Sequence, residues 1–290
     1  MKIGVLKEIV AGESRVAATA ETVKKMTALN HSVLIETDAG IQASISNEDY
    51  KNHGGEIVSR DLVLQSDLLL MVRPPDEKEI IKLTSKQFMV GMLEPFNNAL
   101  QMLLKKQGVS AFALEALPRN TRAQSMDVLS SQANIAGYKA VILASDYYKK
   151  FMPMLMTAAG TVKAAKVIVL GAGVAGLQAV ATAKRLGAVV EASDVRPSVQ
   201  EQIESLGGKF IEVPYETEEE KECAIGTGGY AKPMPKSWLA RQSKIVAEKA
   251  MTADIIITSA LIPGREPPQL LSKETVNKMI QQVNSGNVKL

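Results

Sequence analysis

The stretch that decides the fold of this chain is Lys166-Val167-Ile168-Val169-Leu170-Gly171-Ala172-Gly173-Val174-Ala175-Gly176. Its apolar run predicts a buried strand, and the residues after the last glycine predict a helix. The glycine spacing suits the turn between them. Gly171 permits a tight turn, Gly173 lets the backbone approach a pyrophosphate, and Gly176 lets the helix pack closely on the strand. The helix would open with free N–H groups at Val174 and Ala175, which attract phosphates. We therefore predict a dinucleotide-binding turn.

A carboxylate follows at the position that this interpretation requires. Asp194 lies 18 residues after Gly176, at the end of the next predicted strand. There it would accept hydrogen bonds from the adenosine ribose hydroxyls, which favours NAD over NADP. Arg196 is the residue type that could compensate a 2′-phosphate, so NADP is the alternative. Glycines that serve only strand-to-helix packing are a third interpretation, and Asp194 argues against it.

Apolar runs alternate with amphipathic stretches along most of the chain, which predicts mostly parallel sheets with helices on their faces. The alternation occurs twice. We expect an α/β protein of two Rossmann-like, doubly wound domains, 1–130 and 131–290, with the nucleotide in the cleft between them. The predicted strands are Lys2–Val5, Ser32–Glu36, Asp67–Val72, Phe88–Met92, Ser110–Ala113, Lys166–Leu170, Val189–Ala192, Lys209–Val213 and Asp254–Ser259.

Two regions depart from this alternation. The segment Tyr215–Pro235 carries an acidic run followed by glycines, and we expect it to be irregular. The chain stops after a predicted helix, Lys273–Val283, where a further buried strand would be due. The second domain is therefore expected to be incomplete at its C-terminal end.

The composition excludes several classes of protein. Hydrophobic residues make up 46% and charged residues 22%, the balance of a folded globular protein. A net charge of +3, from 34 basic and 31 acidic residues that are mixed along the chain, argues against nucleic-acid binding. The single cysteine, Cys223, excludes an internal disulfide and a cysteine-based metal site.

No membrane span or leader is expected either. The longest stretch without a charge, Val167–Ala183, contains the three spaced glycines of the turn. The apolar run at the N-terminus is too short for the core of a signal peptide, so we expect the protein to start inside the cell.

A polar stretch without a clear period runs from Pro118 to Asp127, ahead of a long predicted helix. Arg119, Gln124, Asp127 and Ser130 place a cation, an amide, a carboxylate and a hydroxyl close together. Such a set can hold a carboxamide and restrain a nicotinamide ring. An ordinary solvated loop with a helix cap explains the same residues equally well.

Three further residues each have two interpretations. Tyr230 lies among glycines, where a flexible backbone could fold its ring over a nucleotide, or it is an exposed loop residue. Arg15 and Arg73 could bind an anionic group, but surface arginines are common and we favour that explanation.

The positions of the histidines bear on the chemistry. His31 and His53 lie far along the sequence from the 118–130 stretch. Oxidation of an alcohol or amine needs an acid or base to move a proton. Hydride transfer between two nicotinamide rings needs none, because proximity and orientation supply the catalysis. A site without histidine therefore favours ring-to-ring transfer.

Several stretches, in order along nearly the whole chain, resemble one known family. They are Lys7-Glu8 with Glu13–Ala17, Arg119–Gln132, Met156–Val162, Gly171–Arg196, Gly228–Lys232 and Ala260–Gly264. The chain resembles the NAD(H)-binding, extramembrane domain of proton-translocating transhydrogenase, which is related in fold to alanine dehydrogenase.

The resemblance implies a role for each matching residue. Arg119, Gln124, Asp127 and Ser130 would position the nicotinamide, and Tyr230 would belong to a loop that closes over it. Asp194, Val195 and Arg196 would lie at the adenosine ribose. The remaining residues implied to contact the cofactor are Asn120, Thr121, Gly171, Gly173, Val174, Ala175, Gly176, Gly229, Ala260 and Leu261. No residue is expected to bind a metal.

The resemblance also implies partners. A homodimer of this domain would deliver hydride to NADP(H) on a separate domain, coupled to proton movement through a membrane domain on other chains. The protein would then sit on the cytoplasmic side, peripherally associated with the inner membrane.

Two departures from the family pattern keep alternatives open. Alanine dehydrogenases place a catalytic histidine after the strand that here begins at Phe88, and this chain has none there. Family members also continue past the position of Leu290. An amino-acid dehydrogenase of the alanine dehydrogenase type and a non-catalytic NAD-binding module are therefore the alternatives.

Overall fold

A computed structural model of the chain describes residues 1–118, 120–225, 232–260 and 269–284. The chain divides into two compact units, Met1–Leu129 and Ser130–Leu290. Each unit contains a parallel sheet flanked by helices. The α/β class with mostly parallel sheets that the sequence predicts is confirmed.

The first unit is built on six parallel strands in the order β3-β2-β1-β4-β5-β6. The strands are β1 Lys2–Val5, β2 Ser32–Glu36, β3 Gly55–Val58, β4 Leu68–Leu70, β5 Phe88–Gly91 and β6 Ser110–Ala113. The helices are α1 Ala20–Ala28, α2 Asn47–Asn52, α3 Arg60–Val63, α4 Glu77–Ile80 and α5 Asn98–Gln107. Apolar side chains cover both faces of this sheet, as a parallel sheet requires.

One strand of this sheet, β3, was not predicted. Gly54 has a φ of +88°, and the next residue, Gly55, already pairs with Val33 of β2. Only Ile57 and Val58 are apolar in this strand, which is too short a run to stand out in the sequence. Pairing with β2 stabilises it, an effect of tertiary context that local pattern does not contain.

The second unit contains four parallel strands in the order β11-β10-β9-β12 and a separate antiparallel hairpin, β7-β8. The strands are β7 Leu155–Thr157, β8 Gly160–Val162, β9 Lys166–Leu170, β10 Val189–Ser193, β11 Lys209–Phe210 and β12 Ile255–Thr258. The helices are α6 Val128–Tyr147, α7 Val174–Arg185, α8 Gln200–Ser205, α9 Glu218–Ile225, α10 Lys236–Ala250 and α11 Lys273–Asn284.

Strand β9 lies at the centre of the second unit. Val167 and Val169 pack into one apolar cluster, and Ile168 and Leu170 pack into another on the opposite face. All four side chains are at most 2% exposed. A strand buried on both faces reads as a continuous apolar run, which is why it was predicted with its observed bounds.

One expectation for the second unit was wrong, and one element was missed. The segment Tyr215–Pro235 is not irregular throughout, because its acidic run forms α9. Glu220 of that helix is 1% exposed, and it accepts hydrogen bonds from Ser237 and Arg241 of α10. The hairpin β7-β8 was not predicted at all. Among the described residues, no helix has the length and apolar character needed to cross a membrane.

Candidate functional site

The glycine turn connects β9 to α7 at the point where the strand order of the second sheet reverses. The chain runs outward from β9 to β10 and β11, then returns to β12 on the other side of β9. In sheets of this kind ligands bind at the carboxyl ends of the strands, at this reversal. The fold therefore places the turn where a nucleotide site is expected.

Gly171 anchors the turn to both neighbouring strands. Its φ is +90°, a conformation that favours glycine. Its N–H donates to the carbonyl of Ser193 at 2.8 Å, and its own carbonyl accepts from the Ser259 hydroxyl at 2.7 Å. A Cβ at Gly171 would also lie 3.0 Å from the backbone nitrogen of Ala260. Ala260, which was predicted to contact the cofactor, therefore lies beside the turn.

The other two glycines have opposite environments. A Cβ at Gly176 would lie 1.8 Å from the carbonyl oxygen of Gly171, so the helix packs on the turn more closely than any side chain allows. A Cβ at Gly173 would meet nothing within 4 Å.

Gly173 is also the residue before the first turn of α7, and it supplies no side-chain cap to that turn. Open space in front of helix N–H groups, with Val174 and Ala175 in the first turn, fits a pyrophosphate. The residues present therefore match a dinucleotide.

Asp194 is buried directly behind the glycine turn. Its side chain is 6% exposed, and Oδ2 accepts from the N–H of Ala172 at 2.7 Å. Oδ1 accepts from the N–H of Arg196 at 2.9 Å. The Arg196 guanidinium adds bonds to Oδ1 at 2.9 Å and to Oδ2 at 3.0 Å. The carboxylate thus joins the end of β10 to the turn after β9, and Arg196 balances its charge.

Val195 completes this group through a residue that the sequence analysis missed. The Tyr215 hydroxyl donates to the carbonyl oxygen of Val195 at 2.8 Å. Burial raises the pKa of Tyr215, and the nearby Asp194 charge adds to the effect, so the hydroxyl keeps its proton. No sequence signal marks Tyr215, because a single tyrosine after a proline belongs to no motif.

The predicted nicotinamide loop is described in part, and its role stays a prediction. Asn120 accepts through Oδ1 from the N–H of Ala123 at 2.9 Å, and a short 3-10 helix follows over Gln124–Met126. Thr121 and Gln124 are exposed, and Asp127 is half-buried just before α6. These residues belong to the first unit.

The remaining predicted site residues divide as follows. Ser130, half-buried in the first turn of α6, opens the second unit. Arg119, Gly229, Tyr230 and Leu261 lie outside the described residues. Within the described part of the chain, no group of three or more histidine, cysteine and acidic residues could hold a metal ion.

The two arginines considered as anion sites in the first unit are both held by Glu13. Arg15 pairs with it at 2.6 Å, and Arg73 lies 3.6 Å from it. The side-chain hydrogen bond from Arg15 holds the pKa of Glu13 at about 2, so the carboxylate stays charged. Nearby, Glu8 accepts from the N–H groups of Val72 and Arg73. Both arginines therefore already lie beside a carboxylate of the chain itself.

Helix α6 packs closely on the start of α7 at Gly137, which lets us predict whether an alanine there stabilises or destabilises the protein. A Cβ at Gly137 would lie 2.0 Å from the carbonyl oxygen of Ala175. In an unhindered helix, Gly→Ala stabilises by roughly 1 kcal/mol. We expect Gly137→Ala instead to destabilise the protein by about 1–3 kcal/mol, because overpacking forces the two backbones apart.

Urea denaturation of Gly137→Ala and wild type measures this difference. Ala136→Gly, at the neighbouring exposed position of α6, is the control for helix propensity alone. A Gly137→Ala variant more stable than wild type would contradict the close approach.

Two family models match the chain. Residues 4–136 match alanine dehydrogenase/PNT, N-terminal domain, and residues 140–283 match alanine dehydrogenase/PNT, C-terminal domain. The chain belongs to this family. The resemblance on which the sequence analysis relied is confirmed, and the family assignment supports NAD(H) as the cofactor, as predicted.

Relatives similar to this chain include members of two groups, transhydrogenase subunits and alanine dehydrogenases. The first segment of NAD(P) transhydrogenase subunit alpha of Rhodospirillum rubrum is 45% identical over 288 residues, covering 96% of this chain and 74% of the relative. Alanine dehydrogenase 1 of Staphylococcus aureus is 30% identical over 291 residues, covering 96% and 70%.

A solved structure agrees with the first group. The crystal structure of transhydrogenase from Sinorhizobium meliloti superposes with a TM-score of 0.83 at 42% identity, covering 96% of this chain and 75% of that one. Similarity to the transhydrogenase group is therefore clearly higher than to the alanine dehydrogenase group.

Proposed function

We propose that this chain is the NAD(H)-binding component of a proton-translocating NAD(P) transhydrogenase. It passes hydride between NAD(H) bound here and NADP(H) bound on a partner domain. The observation that supports this most is the glycine turn at the β9/β12 reversal, braced by Asp194, in a chain 45% identical to a transhydrogenase alpha subunit.

The residues of the second unit would bind the dinucleotide in distinct ways. The pyrophosphate approaches the backbone at Gly173 and accepts from the first N–H groups of α7, including Val174 and Ala175. The adenosine ribose hydroxyls donate to Asp194 in place of the Arg196 guanidinium, while the bond to Ala172 keeps the carboxylate in position. Ala260 borders the turn from β12.

At the other end of the cofactor, the 119–130 loop would position the nicotinamide. Gln124 and Asp127 offer an amide and a carboxylate to the carboxamide group, and Ser130 offers a hydroxyl. Tyr230 belongs to the loop proposed to close over the nicotinamide, and Val195 lies at the adenosine ribose. The other residues proposed to contact the cofactor are Arg119, Asn120, Thr121, Gly229 and Leu261. When bound, NADH would supply the hydride in one direction, and NAD⁺ would supply the ring carbon that accepts a hydride in the other. The chain's residues orient the ring and need to move no proton.

Partners and location follow from the same proposal. The chain forms a homodimer, and an NADP(H)-binding domain and a membrane domain on other chains complete the enzyme. It is attached peripherally, through these partners, to the cytoplasmic side of the inner membrane. The alanine dehydrogenase activity of the other group is less well supported, because the position after β5 lacks the histidine expected for amino-acid oxidation.

A hydride-transfer assay tests the proposal. The purified chain is mixed with an NADP(H)-binding transhydrogenase domain, NADPH and thio-NAD⁺, and formation of reduced thio-NAD is followed by absorbance. We expect transfer that requires both proteins. We expect a rate at least about tenfold lower for Asp127→Asn, since losing one oriented contact displaces the ring.

Asp146→Asn, a change at an exposed carboxylate far along α6, is the control variant and should transfer hydride at the wild-type rate. Binding of NADH without transfer in the mixture would reject the proposal in favour of a binding module. Turnover of alanine, or of pyruvate with ammonia, by the chain alone would reject it in favour of an amino-acid dehydrogenase.

A further inference from the structure

We infer that Tyr215 is a positioning residue for the cofactor: it fixes the peptide after Asp194 in the orientation that binds the adenosine half of NAD(H). This inference rests on the proposed function, since it concerns the same site. Tyr215 belongs to none of the motifs that predicted that site. It lies between β11 and α9, away from the glycine turn in sequence.

The peptide that joins Val195 to Arg196 is held at both of its polar groups. Its carbonyl oxygen, on Val195, accepts from the Tyr215 hydroxyl at 2.8 Å. Its N–H, on Arg196, donates to Asp194 Oδ1 at 2.9 Å. Rotation of this peptide would break both bonds at once. Asp194 alone holds only the nitrogen side, so the hydroxyl removes the remaining freedom of the turn.

Tyr215 is itself held in place. Its ring stacks on Trp238 of α10 with centroids 6.0 Å apart and planes 12° from parallel. Trp238 is 1% exposed, so this stack has a fixed base. Such aromatic contacts favour one ring orientation over others. The hydroxyl therefore points at Val195 from a rigid support.

The backbone on either side of Tyr215 is also fixed, by one arginine of α10. Arg241 donates to the carbonyl of Pro214 at 3.3 Å and to the carboxylate of Glu216 at 2.7 Å. The same arginine pairs with buried Glu220 of α9. Charge-assisted bonds of this kind hold their partners firmly. Helix α10 therefore fixes the position of Tyr215, and Tyr215 fixes the peptide between Val195 and Arg196.

The variant Tyr215→Phe removes only the hydroxyl and keeps the ring on Trp238. A matched control exists in the first unit, where the Tyr50 hydroxyl donates to the carbonyl of Ala18 at the same 2.8 Å. Calorimetric titration with NADH and with ADP-ribose, together with thermal unfolding, is performed on wild type, Tyr215→Phe and Tyr50→Phe.

Both variants should lower Tm by a few degrees, about 2–6 °C, for the loss of one hydrogen bond. Only Tyr215→Phe should also raise Kd, by about 5- to 10-fold, for both NADH and ADP-ribose. ADP-ribose lacks the nicotinamide, so an equal rise for the two ligands locates the effect at the adenosine half.

Three outcomes would overturn the inference. Tyr215→Phe binding NADH as tightly as wild type, or Tyr50→Phe losing as much affinity, would reduce Tyr215 to a purely structural residue. A wild-type protein that does not bind NADH would overturn this inference and the proposed function together. If wild type binds NADH and Tyr215→Phe binds it equally well, the inference about Tyr215 is wrong but the proposed function is not affected.

Discussion

Gly176→Ala is expected to lower the affinity for NADH by at least about 100-fold and to destabilise the protein by about 3 kcal/mol or more. The added methyl group would lie 1.8 Å from the carbonyl oxygen of Gly171, a distance that real structures do not tolerate. The obstacle is backbone, so no side chain can rotate away. Helix α7 must move outward, and its first N–H groups then leave the phosphate position.

Gly173→Ala is the matched control, because its Cβ would meet nothing within 4 Å and its φ of −74° suits any residue. We expect it to unfold like wild type and yet bind NADH at least about tenfold more weakly, because the methyl group occupies space that the pyrophosphate needs. Nucleotide fluorescence and urea denaturation separate the two effects. Gly176→Ala with wild-type stability would contradict the close packing, and Gly173→Ala with wild-type affinity would contradict the pyrophosphate site.

Asp194→Asn is expected to have the second largest effect. The isosteric amide keeps one acceptor oxygen, but the carboxylate serves both the N–H of Ala172 and the Arg196 guanidinium. Hydrogen bonds to a charged group contribute about 1.5–3 kcal/mol, so affinity for NADH should fall by roughly 10- to 150-fold. Without the negative charge a 2′-phosphate is no longer repelled, and we expect the preference for NADH over NADPH to narrow by at least about tenfold.

Asp254→Asn provides the comparison, because Asp254 binds the backbone at the start of β9 whereas Asp194 binds it just after the end of β9. Asp254 accepts through Oδ2 from the N–H of Lys166 at 2.8 Å, close to the 2.7 Å of the bond from Ala172 to Asp194. It should lower stability modestly and leave both nucleotide affinities unchanged. Titrations of the two variants and wild type with NADH and with NADPH measure both affinities and their ratio. Unchanged selectivity in Asp194→Asn would show that the carboxylate does not choose between the cofactors.

Sequence pattern predicted the elements whose signal is local. Strand β9 and the opening of α7 were predicted correctly because a continuous apolar run and three glycines are visible without tertiary context. Asp194 was found by its spacing from the turn. Its bonds to Ala172 and Arg196 were not, since the residues that share a carboxylate are decided by packing.

What escaped prediction depends on contacts between distant residues. Helix α9 carries an acidic first turn that reads as a solvated loop, and it folds against α10 because Arg241 and Ser237 satisfy the buried Glu220. The role of Tyr215 depends on a stack with Trp238, 23 positions later. Neither relation leaves a periodic trace in the sequence.

Trp238, which stacks on Tyr215, is also an intrinsic fluorescent probe that distinguishes the two units. Trp238 is the only tryptophan in the chain, and it is buried in the second unit. Fluorescence excited at the indole band therefore reports on the second unit alone. Unfolding of the first unit does not change that fluorescence. Comparing the thermal transition seen by fluorescence with that seen by circular dichroism therefore shows whether the two units unfold together or one after the other.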